Sequence, residues 1–315
     1  MKFLAMVTAI DFLGKRFTLY AISAILVVVS IVSLATRGLN FGLDFTGGTL
    51  IEVSFPAAAD VDLVRTNLSG AGLDDAVVQT FGEASDIVVR VPPHGESESS
   101  VDVSTTVLQA LQQGVEGEVV MRRVEFVGPQ VGDELAEQGI LAVVYALIGI
   151  FLYVMMRFQW RFSAGAVAAT VHDVVLTMGL LSVLQVEFDL TVVAALLAVI
   201  GYSLNDTVVV FDRIRENFPR LRKSTPIEVM NRSINETLSR TIMTSFTTLL
   251  TVIALYFLGG EIIEGFSFTL IVGIIIGTYS SIYVASAVSL DLGVSKHDLV
   301  QVEKEGAGTP VDSQP

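Results

Sequence analysis

An aspartate inside a run apolar enough to cross a membrane is the first place to look for chemistry. Leu190 to Asn217 reads LTVVAALLAVIGYSLNDTVVVFDRIREN, with Asn205 and Asp206 inside it. An ionised side chain at the bilayer centre costs roughly 2.5–3.5 kcal/mol on insertion scales, so it needs a partner or a function. The plain reading is a helix-end aspartate reaching interfacial water. Thr207 to Phe211 separate it from Asp212, only ~8–9 Å at 1.5 Å per residue. Continuation of the helix through Arg213 to Asn217 would instead centre Asp206, and the functional reading is the one adopted.

Other polar residues are candidates to act with it. Arg240 and Thr244 open a later apolar run four residues apart, on one face of a helix. If the two runs are antiparallel neighbours, Arg240 lies level with Asp206 and would favour its ionised form. Thr244, with Ser245, Thr247, Thr248 and Thr251, would hold water or bond across helices. The competing reading is a snorkelling arginine and small residues that pack. His172 and Asp173 fall mid-run and read either as a proton relay or as a packed polar contact. Neighbours in a helix do not share a face, so they are not expected to pair. Asp212, Arg213 and Arg215 read as an interfacial cap. Gly273 and Gly277 have the small-xxx-small spacing of close helix packing. Gly42-Leu43-Asp44-Phe45-Thr46-Gly47-Gly48 permits tight turns. No helix or lysine follows in the phosphate-loop manner, so nucleotide binding is not expected.

The elements that must position these residues are legible in composition. Of 315 residues, 52% are apolar, and they fall in six long blocks: Phe17–Thr36, Gly139–Met156, Ser163–Leu184, Leu190–Phe211, Thr241–Leu258 and Gly265–Ser289. The class is a polytopic α-helical membrane protein. The first block follows Lys2, Lys15 and Arg16, but it is longer than a signal-peptide core and reads as an anchor. With no cysteine, disulfides and thiolate chemistry are excluded, and a net charge of −14 argues against nucleic acid. Arg157 and Arg161 fill one connection; Arg213, Arg215, Arg220, Arg222, Lys223, Arg232 and Arg240 fill another; Gln185–Asp189 and Gly259–Glu264 carry no basic residue. The positive-inside rule then places both termini in the cytoplasm. The expected organisation is a cytoplasmic start at 1–16, a first span at 17–36, an outside domain at 37–136, five spans at 137–290 with a cytoplasmic loop at 213–239, and a disordered tail at 291–315.

Within the outside domain the pattern is β-α-β-β-α-β. Strands are expected at Thr49–Phe55, Ala76–Phe81, Asp86–Val91 and Glu118–Val127, and helices at Ala59–Gly70 and Val101–Leu111. The two middle strands are joined by a turn at Gly82–Ser85, and an exposed loop runs over Pro92–Glu98. This is the ferredoxin-like split βαβ order.

With these segments laid out, the chain resembles the SecF family of the bacterial SecD–SecF protein-export complex, within the resistance-nodulation-division group. The likeness runs from Arg37 to about Gly293 and rests on Leu43-Asp44-Phe45-Thr46-Gly47-Gly48, Glu125-Phe126-Val127-Gly128-Pro129, His172-Asp173, Gly201-Tyr202-Ser203-Leu204-Asn205-Asp206, Asp212-Arg213-Ile214-Arg215-Glu216-Asn217 and Arg240-Thr241. It implies a non-enzymatic subunit of the inner membrane that, with SecD, uses the proton motive force to pull preproteins from the SecYEG channel on the periplasmic side. YajC and YidC are further implied partners. Protons are the implied coupling ion, with no cofactor or metal, carried by Asp206 along a path lined by Arg240 and Thr244. Gly42, Asp44, Gly47 and Gly48 mark the entry to the outside domain. A second six-span unit would also give Asp206 an interface away from lipid. The competing readings are half of a small-molecule exporter, a passive scaffold for SecD and the translocon, and an aspartyl protease using Asp173 and Asp206. A protease dyad requires both carboxyls on one water.

Overall fold

The computed structural model describes residues 10–93, 100–115 and 117–294. The start of the chain, the expected loop from His94 onward and nearly all of the expected tail lie outside these residues. The chain enters through α1 (Arg16–Thr36), then β1 (Asn40–Phe41) and a one-turn α2 (Leu43–Thr46). The domain follows as β2 (Gly48–Ser54), α3 (Val61–Gly70), β3 (Val77–Phe81), β4 (Glu83–Val91), α4 (Ser100–Leu111) and β5 (Val120–Val127). Its sheet has the order β3-β4-β2-β5 and every pairing is antiparallel, the ferredoxin-like arrangement. Alternation along the strands sends Ile51, Val53, Ile87 and Val89 to one face, where Leu68 of α3 and Val107 and Leu111 of α4 close the core. Asp60 caps α3 by accepting from the Asp62 and Leu63 amides at 3.0 and 3.3 Å, satisfying two otherwise orphaned donors. One expectation is corrected here. β4 starts at Glu83 rather than Asp86, because Gly82 takes a positive φ of 69° and makes the turn, with a bulge at Thr80/Phe81.

The chain then forms α5 (Pro129–Arg157), α6 (Trp160–Leu184), β6 (Glu187–Phe188), α7 (Leu190–Arg220), α8 (Pro226–Leu258), α9 (Glu264–Ile282) and α10 (Val284–Asp291). With α1, and with α9 and α10 as one broken span, six helices are long and apolar enough to cross a membrane. The fold is therefore a six-helix membrane bundle with one α+β domain between its first and second helices. The loop expected at 213–239 is corrected to a short connection at 221–225, because α7 and α8 both continue beyond the apolar run. Charge pairing holds the extension together. Arg213 binds Glu236 at 2.6 Å, and Asn217 donates to Ser233 at 3.0 Å and to Glu236 at 2.8 Å. At its start α8 has a capping box between Thr225 and Glu228.

The domain is fastened to the bundle at one joint. β1 pairs in parallel with β6, Asn40 opposite Glu187 and Phe41 opposite Phe188. Phe41, Phe45 and Phe188 stack with centroids 5.8–6.0 Å apart. Asp44 accepts from the Leu190 amide at 3.0 Å, so a residue of the domain entry caps α7. Arg90 of β4 forms an ion pair with Glu187. Burial pushes the Glu187 carboxyl above the ordinary carboxylate range; Arg90 opposes the rise, and Asp189 and Asp44 add to it. The double glycine is a steric requirement. Gly47 and Gly48 have φ of 66° and 114°, and a Cβ on Gly48 would run into the Val91 carbonyl.

Two expectations follow. Gly48→Ala combines an unfavourable backbone with a backbone clash and should destabilise the domain by about 2 kcal/mol or more, seen as loss of its cooperative thermal transition. Asp44→Ala removes one cap and should cost about 1 kcal/mol, seen as a small fall in Tm with the domain's own sheet unchanged.

Candidate functional site

The site is built on α7. Asp189 accepts from the Val192 amide at 2.8 Å and starts the helix, and no proline interrupts it until Pro219 in the last turn. Val192, Leu196, Val199, Ser203, Asp206 and Val210 recur every three or four residues and are buried, which makes one inward stripe. α9 packs closely on that stripe. A Cβ on Gly273 would collide with Val199, and one on Gly277 would lie 3.0 Å from the Ser203 Cβ. The small-xxx-small spacing is thus what brings α9 onto the polar part of α7.

Asp206 is 3% exposed, and its Oδ2 is buried without a hydrogen-bond partner. Arg213 binding Glu236 and Tyr202 donating to Ser245 at 3.4 Å fix α7 and α8 as antiparallel neighbours. That register sets Arg240 within about one turn of Asp206 in depth. Among the described residues the two form no ion pair. Arg240 is exposed. Thr241, beside it, is 1% exposed with an unpartnered Oγ1. Thr244 turns its hydroxyl onto its own helix, donating to the Arg240 and Thr241 carbonyls at 3.1 and 2.9 Å. Thr247, Thr248 and Thr251 do the same. Of the expected hydroxyl row, Ser245 is the member that bonds across helices, to Thr278 at 2.7 Å and to Tyr202.

Asp173 on α6 lies in the same core, fully buried. It accepts from Ser203 of α7 at 2.5 Å and from Ser280 of α9 at 2.7 Å, so three helices meet on one carboxylate. His172 and Asp173 do pair, Nδ1 to Oδ1 at 3.1 Å, against expectation. Helix spacing separates the two Cβ directions, but the imidazole is long enough to swing its near nitrogen back to the carboxylate. Ser203 and Ser280 were the residues that sequence reasoning did not single out. Ser203 stands three residues before Asp206, and that spacing was the available signal. Asp173's two oxygens are engaged by His172, Ser203 and Ser280, an arrangement unlike an aspartyl dyad around one shared proton.

The remaining candidates lie elsewhere. Asn205 is exposed and points away from the core. Ala194, Ala198 and Gly201 are exposed on the same face of α7, and a Cβ on Gly201 would meet nothing within 4 Å. The outward face of α7 here is thus small and polar, unlike the bulky apolar exposure of Ile140, Ile148 and Leu152 on α5, while α8 presents Arg240 beside exposed Ile242, Met243 and Phe246. Asp212 binds Arg157 at 2.9 Å and serves as the interfacial cap. Gly42, Asp44, Gly47 and Gly48 belong to the joint at the other end of the bundle, about 24 Å along α7 from Asp206 at 1.5 Å per residue.

Comparison with known proteins agrees with this architecture. Residues 107–295 match the family described as protein export membrane protein SecD/SecF, C-terminal, and residues 32–55 match the SecD/SecF GG motif. Protein translocase subunit SecF of Vibrio alginolyticus is 54% identical over 91% of this chain and 92% of its own length. The subunit of the same name from Pseudomonas aeruginosa is 50% identical over 97% and 98%. The crystal structure of SecDF from Thermus thermophilus, a translocon-associated membrane protein, superposes with a TM-score of 0.82 at 37% identity. It covers 91% of this chain, which spans 39% of that longer one. A super-membrane-facing form of SecDF superposes with a TM-score of 0.67. By its matched segments, its relatives and its fold, the chain belongs to the SecF family of protein translocase subunits.

Proposed function

We propose that this chain is the smaller half of a proton-driven motor that, with SecD, completes preprotein translocation, and that Asp206 carries the coupling proton. The observation that supports this most is the setting of Asp206. It is enclosed and incompletely hydrogen-bonded inside an apolar bundle, level with an arginine on a face this chain leaves open. An arginine in that position needs a protein or water environment rather than hydrocarbon. A second six-helix unit seated on the strip of Ala194, Ala198, Gly201 and Asn205 would provide it, and small residues allow the close approach. SecD is the partner this reading assigns, since the solved SecDF chains combine both halves.

The cycle follows from charge. Ionised Asp206 attracts Arg240 and draws α8 toward α7. Protonation removes that attraction and releases the pair, with Thr244 on the same face of α8 lining the path. A proton is the only coupling species needed, and no cofactor enters. The distribution of arginines supports a bacterial inner-membrane orientation with both termini cytoplasmic and the domain in the periplasm. There the domain would act on preprotein emerging from SecYEG, with YajC and YidC as associated subunits. A passive scaffold is the alternative, and it differs in one respect: it has no use for an ionisable group at position 206.

Two measurements test this. In cells depleted of their own SecF and supplied with matched SecD, wild type should restore export of a secreted reporter. Asp206→Asn should assemble normally and leave export at the depleted level; full export with asparagine would leave the scaffold reading standing. A Cβ on Gly201 meets nothing within 4 Å and the position faces outward, so the Gly201→Leu subunit should fold. Its association with SecD should weaken by about tenfold or more, ~1.4 kcal/mol, measured by co-purification at matched expression.

A further inference from the structure

Asp173 is a buried ionisable group that the mechanism above leaves without a task. Its carboxylate is 0% exposed and is held by hydroxyls alone from neighbouring helices, Ser203 at 2.5 Å and Ser280 at 2.7 Å. Among the described residues, the only charge-capable partner touching it is His172, on its own helix at 3.1 Å. That imidazole is 7% exposed, and its far nitrogen, Nε2, is buried without a partner. A structural polar contact between three helices needs an acceptor, which an amide or a hydroxyl supplies without the penalty of a buried charge. A carboxyl group adds the ability to take up and release a proton.

The placement of Asp173 gives that ability a use. Ser203 donates to Asp173 and stands three residues before Asp206, on the same face of α7. By residue count at 1.5 Å per residue, Asp173 lies about 16 Å from the domain end of α6, and Asp206 about 24 Å from the domain end of α7. Asp173 is therefore the shallower of the two acids as seen from the domain side. Beyond His172 the polar line continues to Tyr279 of α9, whose ring centre is 6.1 Å from the imidazole and whose hydroxyl bonds Ser23 of α1 at 3.0 Å.

We propose that Asp173, backed by His172, is a second proton-carrying acid in series with Asp206, with the Ser203 hydroxyl as the link. This rests on the reading of Asp206 as the coupling acid. In the transfer, the Ser203 hydroxyl, which donates to Asp173 in this structure, turns toward Asp206 one turn along α7; the proton on the Asp173 carboxyl then passes to the Ser203 oxygen while Ser203's own proton passes to the Asp206 carboxylate. One O–H bond breaks at Asp173, one forms at Asp206, and Ser203 ends neutral. Asp173 is then recharged from the domain side. The titratable or charged groups on the helices packed around this step are His172 on α6, Tyr279 on α9, Tyr202 and Asp206 itself on α7, and Arg240 on α8. On α1, Ser23, the partner of Tyr279, is not ionisable in this range.

The test uses the complete complex with SecD in proteoliposomes under an imposed proton gradient, with internal pH read by a trapped dye. Asp173→Asn keeps the volume and an oxygen to accept from both serines. It should assemble with unchanged Tm, yet lower proton conduction by roughly a hundredfold, the scale of a lost acid–base group. Asp173→Glu restores an ionisable carboxyl and should recover a measurable part. Wild-type conduction by Asp173→Asn, alongside loss in Asp206→Asn, overturns this proposal and leaves the role of Asp206 intact. Wild-type conduction by Asp206→Asn overturns the underlying reading instead. No recovery with glutamate in a well-assembled complex would assign Asp173 a purely structural role. Should asparagine prevent assembly, Ser203→Ala decides. It leaves the carboxylate in place, and conduction lowered severalfold supports the relay while unchanged conduction overturns it.

Discussion

Two carboxylates inside an apolar bundle set the terms for the rest of this structure. A charge in hydrocarbon is tolerated only where protein, water or a counter-charge surrounds it, so the helices around Asp173 and Asp206 are arranged to enclose them. Gly273 and Gly277 let α9 approach α7 closely enough for Ser280 and Ser203 to reach one acid. The inward stripe of α7 buries the other. Packing, which in a membrane has no hydrophobic driving force of its own between helices, is here directed by polar groups that require company.

The enclosure is uneven in an informative way. Asp173 is satisfied within the chain. Asp206 is not, and the cation level with it faces outward. The bundle has thus completed the environment of one acid and left the other enclosed but incompletely bonded beside an outward-facing cation. The outward face of α7 there is lined by alanine, glycine and asparagine, whereas α5, and α8 beyond Arg240, expose isoleucine, leucine and phenylalanine.

The architecture was largely legible from sequence because its signals are long and physical. Six apolar runs and a β-α-β-β-α-β alternation each average over many residues, and both emerged in the fold. Boundaries set by single interactions were less legible. The extension of α7 and α8 past their apolar runs depends on Arg213, Asn217 and Glu236 meeting across two helices, and no hydropathy pattern encodes that. The start of β4 depends on Gly82 alone. In the site, Asp206 stood out because a buried acid is rare in a span. Ser203 and Ser280 did not, because serine in a membrane helix serves packing as readily as chemistry. The pairing of His172 with Asp173 was missed because helix-face arguments treat side chains as fixed spokes.

The cap that Asp44 places on α7 has a mechanical meaning. The helix is a rigid rod that holds the acid about midway along its length and is latched at one end to a folded domain by a strand pair, an aromatic cluster and an ion pair. Rods convert angle into travel. A tilt of about 10° around the level of Asp206 displaces the latched end by ~4 Å over its ~24 Å arm, and the far rim of the domain moves further still. By such a lever, a sub-ångström adjustment beside a carboxylate would be geared up to the dimensions of a polypeptide segment without any long-range chemical signal passing through the bundle.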